Sequence, residues 1–286
     1  MIGIFDSGVG GMSVLREVRK ILPDQPVIYY ADSAHCPYGE KSKEYIIGRA
    51  RFITETLMAK GASVIVVACN TATAAAIAAL RQEYPQTPFI GMEPAIKPAA
   101  LRTRTGVVGV LATAGTLKAQ KYIDTREQYS EGIKVVEHIG QGFVELVEKG
   151  ILTGPEAEKT VSASLKPLLD EGADVIVLGC THYPFLTQTI QKAAQTSHPE
   201  RDIQIIDPAP AVAKQLLKVM TEKGLLDSQS RHSETIIMSS SDSSAAEDFY
   251  RHNVLNINAD NNTFCQPSRK TGTEDRTRPL YPDKDR

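Results

Sequence analysis

ASVIVVACNTA at 62–72 and ADVIVLGCTHY at 173–183 follow one pattern, in which a run rich in Val and Ile stops at a single cysteine, Cys69 or Cys180. Short apolar runs of this kind indicate strands that are buried on both faces. When the two residues before each stretch are included, six of thirteen aligned positions are identical, where ordinary composition gives roughly one. We favour an internal duplication, and the alternative is that all parallel strands resemble one another in Val and Ile.

A second pair of stretches supports the duplication. GIFDSG at 3–8 aligns with GVLATA at 109–114, so that Ser7 matches Thr113. Elsewhere, short apolar runs alternate with longer helix-like segments, which is typical of strand–helix–strand units and parallel sheets. The sequence therefore predicts an α/β fold of two pseudo-symmetric three-layer αβα domains with mainly parallel sheets and an active site in the cleft between them.

The place where the pattern restarts sets the predicted domain boundaries. Residues 1–96 together with 207–258 form the first predicted domain, and residues 97–206 form the second. Residues 259–286 have no apolar period and are rich in charged and turn-forming residues. That composition indicates a disordered tail or a segment foreign to the fold.

The overall composition limits the class of protein. There are 32 Lys and Arg residues against 34 Asp and Glu residues, a net charge of −2, so no general field attracts nucleic acid or an anionic membrane. The N-terminal residues lack the pattern of a secretory signal, and no apolar run approaches the roughly eighteen residues of a membrane span. We expect a globular cytoplasmic protein without a nucleic-acid or membrane partner. A homodimer stays open, because oligomeric state leaves no signature in this sequence.

The four cysteines form no CxxC pair and no cluster with histidine at zinc-site spacing, so the sequence predicts neither a metal nor a disulfide framework. Each cysteine alone is most simply a small buried hydrophobe. Cys69 and Cys180, however, follow equivalent strands, at the sheet edge where ligands bind and where a helix N-terminus lowers the pKa of a thiol. We therefore interpret Cys69 and Cys180 as residues that take part in a chemical reaction. Cys36 has no counterpart in the second half and is interpreted as incidental.

The glycine-rich stretch FDSGVGGMSVL at 5–15 places Asp6 and Ser7 just before a predicted helix. It is not a dinucleotide fingerprint, because Ser13 stands where the third glycine belongs, and it is not a P-loop, because GK[ST] is missing. Exposed N–H groups at a helix start suit an anion cradle. The alternative is a tight turn capped by Asp6.

ADSAHCPYGEKS at 31–42 is a second polar loop at the end of a predicted strand. We expect Asp32 with Ser33 to contact a ligand ammonium, and the backbone of Tyr38 with Gly39 to hold a carboxylate.

Two further polar residues are considered beside the cysteines. His182, two residues after Cys180, is placed to polarise or orient that thiol. Glu148 in GFVELVEKG follows a helical pattern, which by itself indicates a solvated carboxylate.

Two thiols that face each other across related halves restrict the reaction. A cysteine protease needs one nucleophile and a base, and a redox dithiol usually has CxxC spacing, so neither predicts symmetry. Inversion of a stereocentre does predict a symmetric site. A base removes a proton from one face while an acid delivers a proton to the other face, and the two roles exchange in the reverse direction.

These motifs carry a resemblance to a known family. FDSGVGG, YYADSAHCPYGEKS, CNTA, GFVELVE and GCTHYP together resemble the glutamate racemases of the aspartate/glutamate racemase superfamily, over about Ile2 to Leu255. The resemblance implies an isomerase that interconverts L- and D-glutamate without a cofactor by a two-base mechanism and supplies D-glutamate for peptidoglycan, with small-molecule substrate as its partner. It also implies catalytic thiols at Cys69 and Cys180, with Asp6 assisting Cys69, and His182 with Glu148 assisting Cys180.

The resemblance also implies the residues that contact the substrate, which are Asp6, Ser7, Tyr38, Gly39, Asn70, Thr71, Thr113, Thr116, Thr181 and His182. One departure is IGQGFVELVE, which lacks the Cys-Pro dipeptide that the family usually has before this helix. The near alternative is an aspartate racemase or another two-cysteine relative. A non-catalytic amino-acid-binding protein on a duplicated scaffold is the alternative from a different class.

Overall fold

The structure is a computed structural model that describes residues 1–227 and 234–255. The predicted tail at 259–286 lies outside the described residues, as does Cys265. The strands are β1 (Ile2–Asp6), β2 (Val27–Ala31), β3 (Val64–Val67), β4 (Phe89–Gly91), β5 (Val107–Ala112), β6 (Lys134–Ile139), β7 (Val175–Gly179), β8 (Gln204–Ile206) and β9 (Thr235–Ser239).

Helices follow most of the strands. They are α1 (Met12–Ile21), α2 (Lys43–Ala59), α3 (Asn70–Glu83), α4 (Ile96–Ala100), α5 (Ala114–Leu117), α6 (Gln120–Tyr129), α7 (Phe143–Glu148), α8 (Pro155–Asp170), α9 (Thr187–Ser197), α10 (Ala209–Glu222) and α11 (Ser243–Asn253). Short 3-10 helices lie at Ser33–His35, Tyr38–Glu40 and Tyr183–Leu186. Within the described residues, no helix is long and apolar enough to cross a bilayer.

The strands form two sheets, and every described strand pair is parallel. One sheet has the order β4-β3-β1-β2-β9, and the other, read from its opposite edge, has the order β8-β7-β5-β6. The first four strands of each half therefore follow the same order, and β9 is an additional edge strand on the first sheet. The predicted α/β fold with two mainly parallel sheets is confirmed.

The strand register pairs equivalent residues in the two sheets, in agreement with the sequence alignments of the two halves. Phe5 pairs with Val67 in the first sheet, and Leu111 pairs with Leu178 in the second. These are the residues that the two sequence alignments match, Phe5 with Leu111 and Val67 with Leu178. Each of the paired cysteines lies two residues beyond such a register pair, so both thiols start from the same place in their sheets.

Apolar side chains fill the layers between sheets and helices. The two sheets share one large core, in which Ile4 of β1 and Leu178 of β7 belong to the same cluster of buried residues. The outer face of the first sheet packs on α2 and α3, while that of the second sheet packs on α4 and α6. Because Val and Ile are buried on both strand faces, the strands lack polar alternation.

The first sheet draws its strands from 2–91 and 235–239, and the second from 107–206. The predicted boundaries near residues 96 and 207 fall between those sets of strands. The division into two domains nevertheless stays a prediction, because Met1–Asn256 clusters as one compact unit.

Candidate active site

The carboxyl ends of the two sheets enclose a cavity of about 280 Å³ that holds most of the predicted site residues. The lining residues come from loops of both sheets: Ser7, Pro37, Tyr38, Gly39, Cys69, Asn70, Thr71, Thr113, Val144, Cys180, Thr181 and His182. Three predicted residues, Asp6, Glu148 and Thr116, contact lining residues without lining the cavity themselves.

Cys69 lies just beyond β3 and caps α3, where the Ala72 N–H donates to Sγ at 3.4 Å. Ser7 Oγ lies 3.8 Å from this sulfur and 3.4 Å from Asp6 Oδ1. Burial raises the pKa of the Cys69 thiol well above its usual value, and the Asp6 charge adds to the rise. The helix start acts in the predicted, opposite direction but is outweighed. Cys69 therefore rests as a protonated thiol, connected through a hydroxyl to a carboxylate.

Asp6 ends β1 and is fully buried. Its Oδ2 accepts hydrogen bonds from the Gly11 N–H at 2.7 Å and from Thr181 Oγ1 at 3.3 Å. Burial raises the pKa of this carboxyl, although the nearby His182 charge acts in the opposite direction. The raised pKa of Asp6 is closer to the pKa of a thiol. A proton acceptor for Cys69 needs such a match of pKa values.

Cys180 lies just beyond β7, and His182 Nδ1 is 3.7 Å from its Sγ. The other ring nitrogen, Nε2, is 2.7 Å from Glu148 Oε1, which also accepts from the Val9 N–H at 2.8 Å. Burial lowers the pKa of this imidazole, but hydrogen bonds to Cys180, Cys36 and Glu148 raise it to well above its usual value. Burial raises the pKa of Glu148, but the hydrogen bond and charge of His182, together with the bonds from Val9 and Cys36, leave it below its usual value. His182 is therefore held as an imidazolium beside Cys180.

The glycine-rich loop after β1 makes room for this second group. A Cβ atom at Gly8 would lie 1.9 Å from Glu148 Oε1, and one at Gly10 would lie 2.2 Å from His182 Nδ1. The N–H of Val9, between the two glycines, binds the same Glu148 carboxylate. The anion cradle predicted from the sequence thus holds the protein's own carboxylate.

Hydroxyl groups from the two halves also meet at the cavity. Thr71 Oγ1, at the start of α3, lies 3.1 Å from Thr113 Oγ1, and Thr113 Oγ1 lies 3.0 Å from Thr116 Oγ1. Thr113 also accepts the Thr116 N–H at 3.3 Å, so Thr116 orients Thr113 from behind. Asn70 is buried, and its Oδ1 has no hydrogen-bond partner within the described part of the chain.

Asp32 takes a role that differs from the one predicted. It is fully buried, and the Arg49 guanidinium donates to its two oxygens at 2.9 and 2.7 Å while the Tyr38 hydroxyl also donates to it. Burial raises the pKa of Asp32, but hydrogen bonds, chiefly those from Arg49 and Tyr38, have the larger combined effect and leave the pKa below its usual value. The interpretation of Asp32 as a ligand for an ammonium group is therefore wrong. Its carboxylate instead fixes Tyr38 beside Gly39.

With this geometry, the chain can be compared with known proteins. A model of the family described as Asp/Glu/Hydantoin racemase matches residues 12–216, which include both cysteines. The chain belongs to the Asp/Glu/hydantoin racemase family.

Other members of this racemase family match most of the chain. A glutamate racemase of Ectopseudomonas mendocina is 50% identical over 228 residues, which are 80% of this chain and 85% of the relative. A glutamate racemase isoform from Bacillus anthracis has a solved structure with a TM-score of 0.77 and 32% identity, covering 88% of this chain and 92% of that one. The Escherichia coli glutamate racemase, solved with L-glutamate and the activator UDP-MurNAc-Ala, has a TM-score of 0.76, 31% identity and coverage of 88% and 92%.

Some residues of the candidate site were not predicted from the sequence. Val144 lines the cavity and lies one helical turn before Glu148, so the helical period could have placed them on one face. Pro37 lines the cavity without any sequence signal. Cys36, interpreted as incidental, has its Sγ 3.9 Å from Glu148 Oε1, because that carboxylate reaches it from the other half.

Proposed function

We propose that the protein is a cofactor-independent glutamate racemase in which Cys69 and Cys180 exchange a proton with the two faces of the substrate Cα. One observation carries this proposal. The two thiols follow register-equivalent strands of two matching sheets, and both line a single small cavity. A pair of acid/base groups related in this way suits a reaction whose forward and reverse directions are mirror images.

The cavity lining suits an amino acid with two carboxylates. Among the described residues that line it, none is Lys or Arg, so carboxylates must be bound by N–H and hydroxyl groups. The start of α3 supplies N–H groups and the Thr71 hydroxyl, and Thr113 and Thr181 add hydroxyls from the other half. The unpartnered Asn70 Oδ1 is an acceptor suited to the substrate ammonium.

Proton transfer follows from the two thiol environments. In one direction Cys180 Sγ, as a thiolate, takes the Cα proton, while the Cys69 thiol delivers its proton to the opposite face. In the reverse direction Cys69 must first lose its proton, and Ser7 with Asp6 supplies a path for it. His182, held as a cation by Glu148, returns a proton to Cys180 through Nδ1.

The weak acidity of the Cα proton is the main energetic difficulty. The carbanion spreads its charge onto the α-carboxylate, where N–H and hydroxyl donors stabilise it by a few kcal/mol each in a site that excludes water. The same donors hold that carboxylate in the ground state, so they are positioned before the proton leaves.

Isotope exchange tests the proposed function. In heavy water, the protein should interconvert L- and D-glutamate, measured by circular dichroism, and place deuterium at Cα, measured by NMR. Cys69→Ser and Cys180→Ser should each lower racemisation by at least about a thousandfold. A single variant that racemises at the wild-type rate would show that two thiols are not needed.

Two controls separate the competing functions. An amino-acid-binding protein would bind glutamate without placing deuterium at Cα, and an aspartate racemase would act faster on aspartate in the same assay. The proposed supply of D-glutamate to peptidoglycan is tested by growth of a D-glutamate-requiring bacterium that carries this chain, with Cys180→Ser as the matched control.

A further inference from the structure

Three potential metal ligands of different chemical type meet around His182, one of the residues that line the cavity. Cys36 Sγ, a carboxylate oxygen of Glu148 and a ring nitrogen of His182 all lie within 4.8 Å of one another. The three residues come from the loop after β2, the end of α7 and the loop after β7. Only the folded chain brings them together, and no step of the proposed reaction transfers a proton to or from Cys36.

We propose that Cys36, Glu148 and His182 form a binding site for a thiophilic divalent metal ion such as Zn²⁺, and that an ion bound there reversibly blocks the reaction at Cys180. The binding half of this proposal stands on the cluster alone. The inhibitory half rests on the proposed function, because it requires His182 to serve Cys180.

The ligand atoms are close to the spacing that zinc requires. Zinc bonds of about 2.0–2.3 Å to nitrogen, oxygen and sulfur place tetrahedral ligand atoms roughly 3.3–3.7 Å apart. Cys36 Sγ is 3.9 Å from Glu148 Oε1, and His182 Nε2 is 2.7 Å from the same oxygen. The histidine and the carboxylate must therefore separate by roughly half an ångström to admit the ion.

The surroundings supply the second shell that a metal-bound histidine needs. Such a histidine usually donates its other ring N–H to a partner that fixes its orientation. His182 Nδ1 lies 3.7 Å from Cys180 Sγ and is placed to donate to it. The Val9 N–H holds the Glu148 carboxylate in the same way, at 2.8 Å.

Binding replaces protons with the metal. Cys36 exchanges its S–H bond for a sulfur–metal bond, and His182 exchanges the Nε2 proton that it shares with Glu148 for a nitrogen–metal bond. Both protons leave to solvent, and no electrons are transferred. Thiolate and imidazole select zinc, cadmium or cobalt over Mg²⁺ and Ca²⁺, which prefer oxygen ligands.

The inhibition follows from what the metal takes away. With Nε2 bound to the metal and Glu148 drawn from the imidazole, His182 is no longer held as a cation. It keeps only the Nδ1 proton of a neutral, metal-bound imidazole, and loss of that proton would leave an imidazolate. His182 therefore no longer serves as the acid for Cys180, while Cys69 is untouched.

Cobalt binding tests the site directly. Co²⁺ is titrated into the full chain carrying Cys265→Ser, which removes the thiol outside the described residues, and the thiolate-to-cobalt band and the tetrahedral visible bands are recorded. Cys36→Val should weaken binding by more than about 100-fold, since loss of a direct ligand exceeds the 10–100-fold cost of losing an outer partner. Cys69→Ser, a thiol deleted from the same cavity outside the cluster, should bind as the parent does.

Zinc inhibition tests the consequence. Zn²⁺ should stop glutamate racemisation in the parent, EDTA should restore it, and Mg²⁺ should have no effect. Cys36→Val should resist Zn²⁺ at concentrations that stop the parent, when the rate of each protein with Zn²⁺ is compared with its own rate without metal.

The outcomes separate the proposals. If Cys36→Val bound cobalt as tightly as the parent, the proposed site would be wrong. Loss of binding in Cys69→Ser would also overturn the site, because the ion would then lie between the catalytic thiols. Zinc bound at the cluster with unchanged racemisation would overturn the inhibition alone. A protein that binds cobalt through Cys36 but never racemises glutamate would overturn the proposed function and leave the metal site standing.

Discussion

Cys69 and Cys180 start from equivalent places in equivalent sheets but have different neighbours. Cys69 contacts a serine backed by a buried carboxylate, whereas Cys180 contacts an imidazole backed by a partly buried carboxylate. The first arrangement holds a neutral thiol, and the second holds a cationic proton donor beside the sulfur. The duplication that we favour would place the two thiols equivalently, and the proposed function assigns their different neighbours to the two faces of the substrate.

The largest expected effects separate the two thiols. Asp6→Asn and His182→Asn should each lower kcat/KM by about a thousandfold. The loss must be equal for L- and D-glutamate, because the equilibrium constant between enantiomers is one. Isotope effects with Cα-deuterated substrate should differ, since each variant slows proton transfer at a different thiol.

The enantiomer whose isotope effect rises in each variant decides this prediction. Asp6→Asn should raise the isotope effect for one enantiomer and His182→Asn for the other. If both variants raised it for the same enantiomer, the two thiols would not have the separate assistants described above.

A smaller change should disturb only the Cys180 side. Gly10→Ala places a Cβ where His182 Nδ1 lies, and a displacement of about 1 Å costs about a hundredfold in rate. Its isotope effects should follow those of His182→Asn. Gly48→Ala is the matched control, because nothing lies within 4 Å of its added Cβ on α2; it should keep full activity and stabilise the protein by up to about 1 kcal/mol.

Glu148→Gln should have a milder effect that depends on pH. The substitution removes a charged hydrogen bond from His182, at a cost of about 1.5 kcal/mol, or about tenfold in kcat/KM. Because that bond raises the pKa of His182, its loss lowers this pKa. The alkaline limb of the kcat/KM profile should therefore move to lower pH. An unmoved limb would show that Glu148 does not hold the imidazolium.

The smallest effect on the chemistry is expected for Arg49→Met, which unpairs the buried Asp32. It should destabilise the protein by about 2 kcal/mol, below the 3–5 kcal/mol of a fully buried pair because Arg49 is partly exposed. The pKa of Asp32 in the folded parent lies below its usual value, so its stabilisation is present above about pH 4 and is lost as pH falls through the folded pKa.

Urea unfolding across the acid range checks this. In Arg49→Met the acid-dependent loss of stability should be smaller than in the parent, because without Arg49 the folded pKa of Asp32 no longer lies as far below its unfolded value. KM should rise more than kcat falls, because Tyr38 and Gly39 lose their support. Parent-like acid unfolding would remove Asp32 from its assigned role.

Sequence patterns predicted what depends on local order, namely the strands and the positions of the two thiols just beyond them. Strand-end loops of parallel sheets converge by geometry, so Ser7, Cys69 and Cys180 could be grouped without coordinates. Contacts between residues that are distant in the sequence were harder to predict. Asp32 was misassigned because Arg49 lies seventeen residues away on α2, a distance that no short motif spans.

The protonation of Cys69 shows a different limit. Its place at a helix start was visible in the sequence and predicts a lowered pKa, but the extent of burial and the charge of Asp6 are properties of the assembled site. These two effects outweigh the helix start, so the sign of the shift could not be obtained from the motif.

The edge strand β9 has a consequence for how the chain is made. It pairs with β2, although about 200 residues separate Ala31 from Thr235. At synthesis rates of roughly 5–20 residues per second, the ribosome needs about 10–40 seconds to deliver that partner. During this interval the second sheet, contiguous in sequence, emerges complete while β2 has one unpaired edge. We therefore expect nascent chains that stop before residue 235 to associate through that edge, and to need chaperone protection that the finished protein does not.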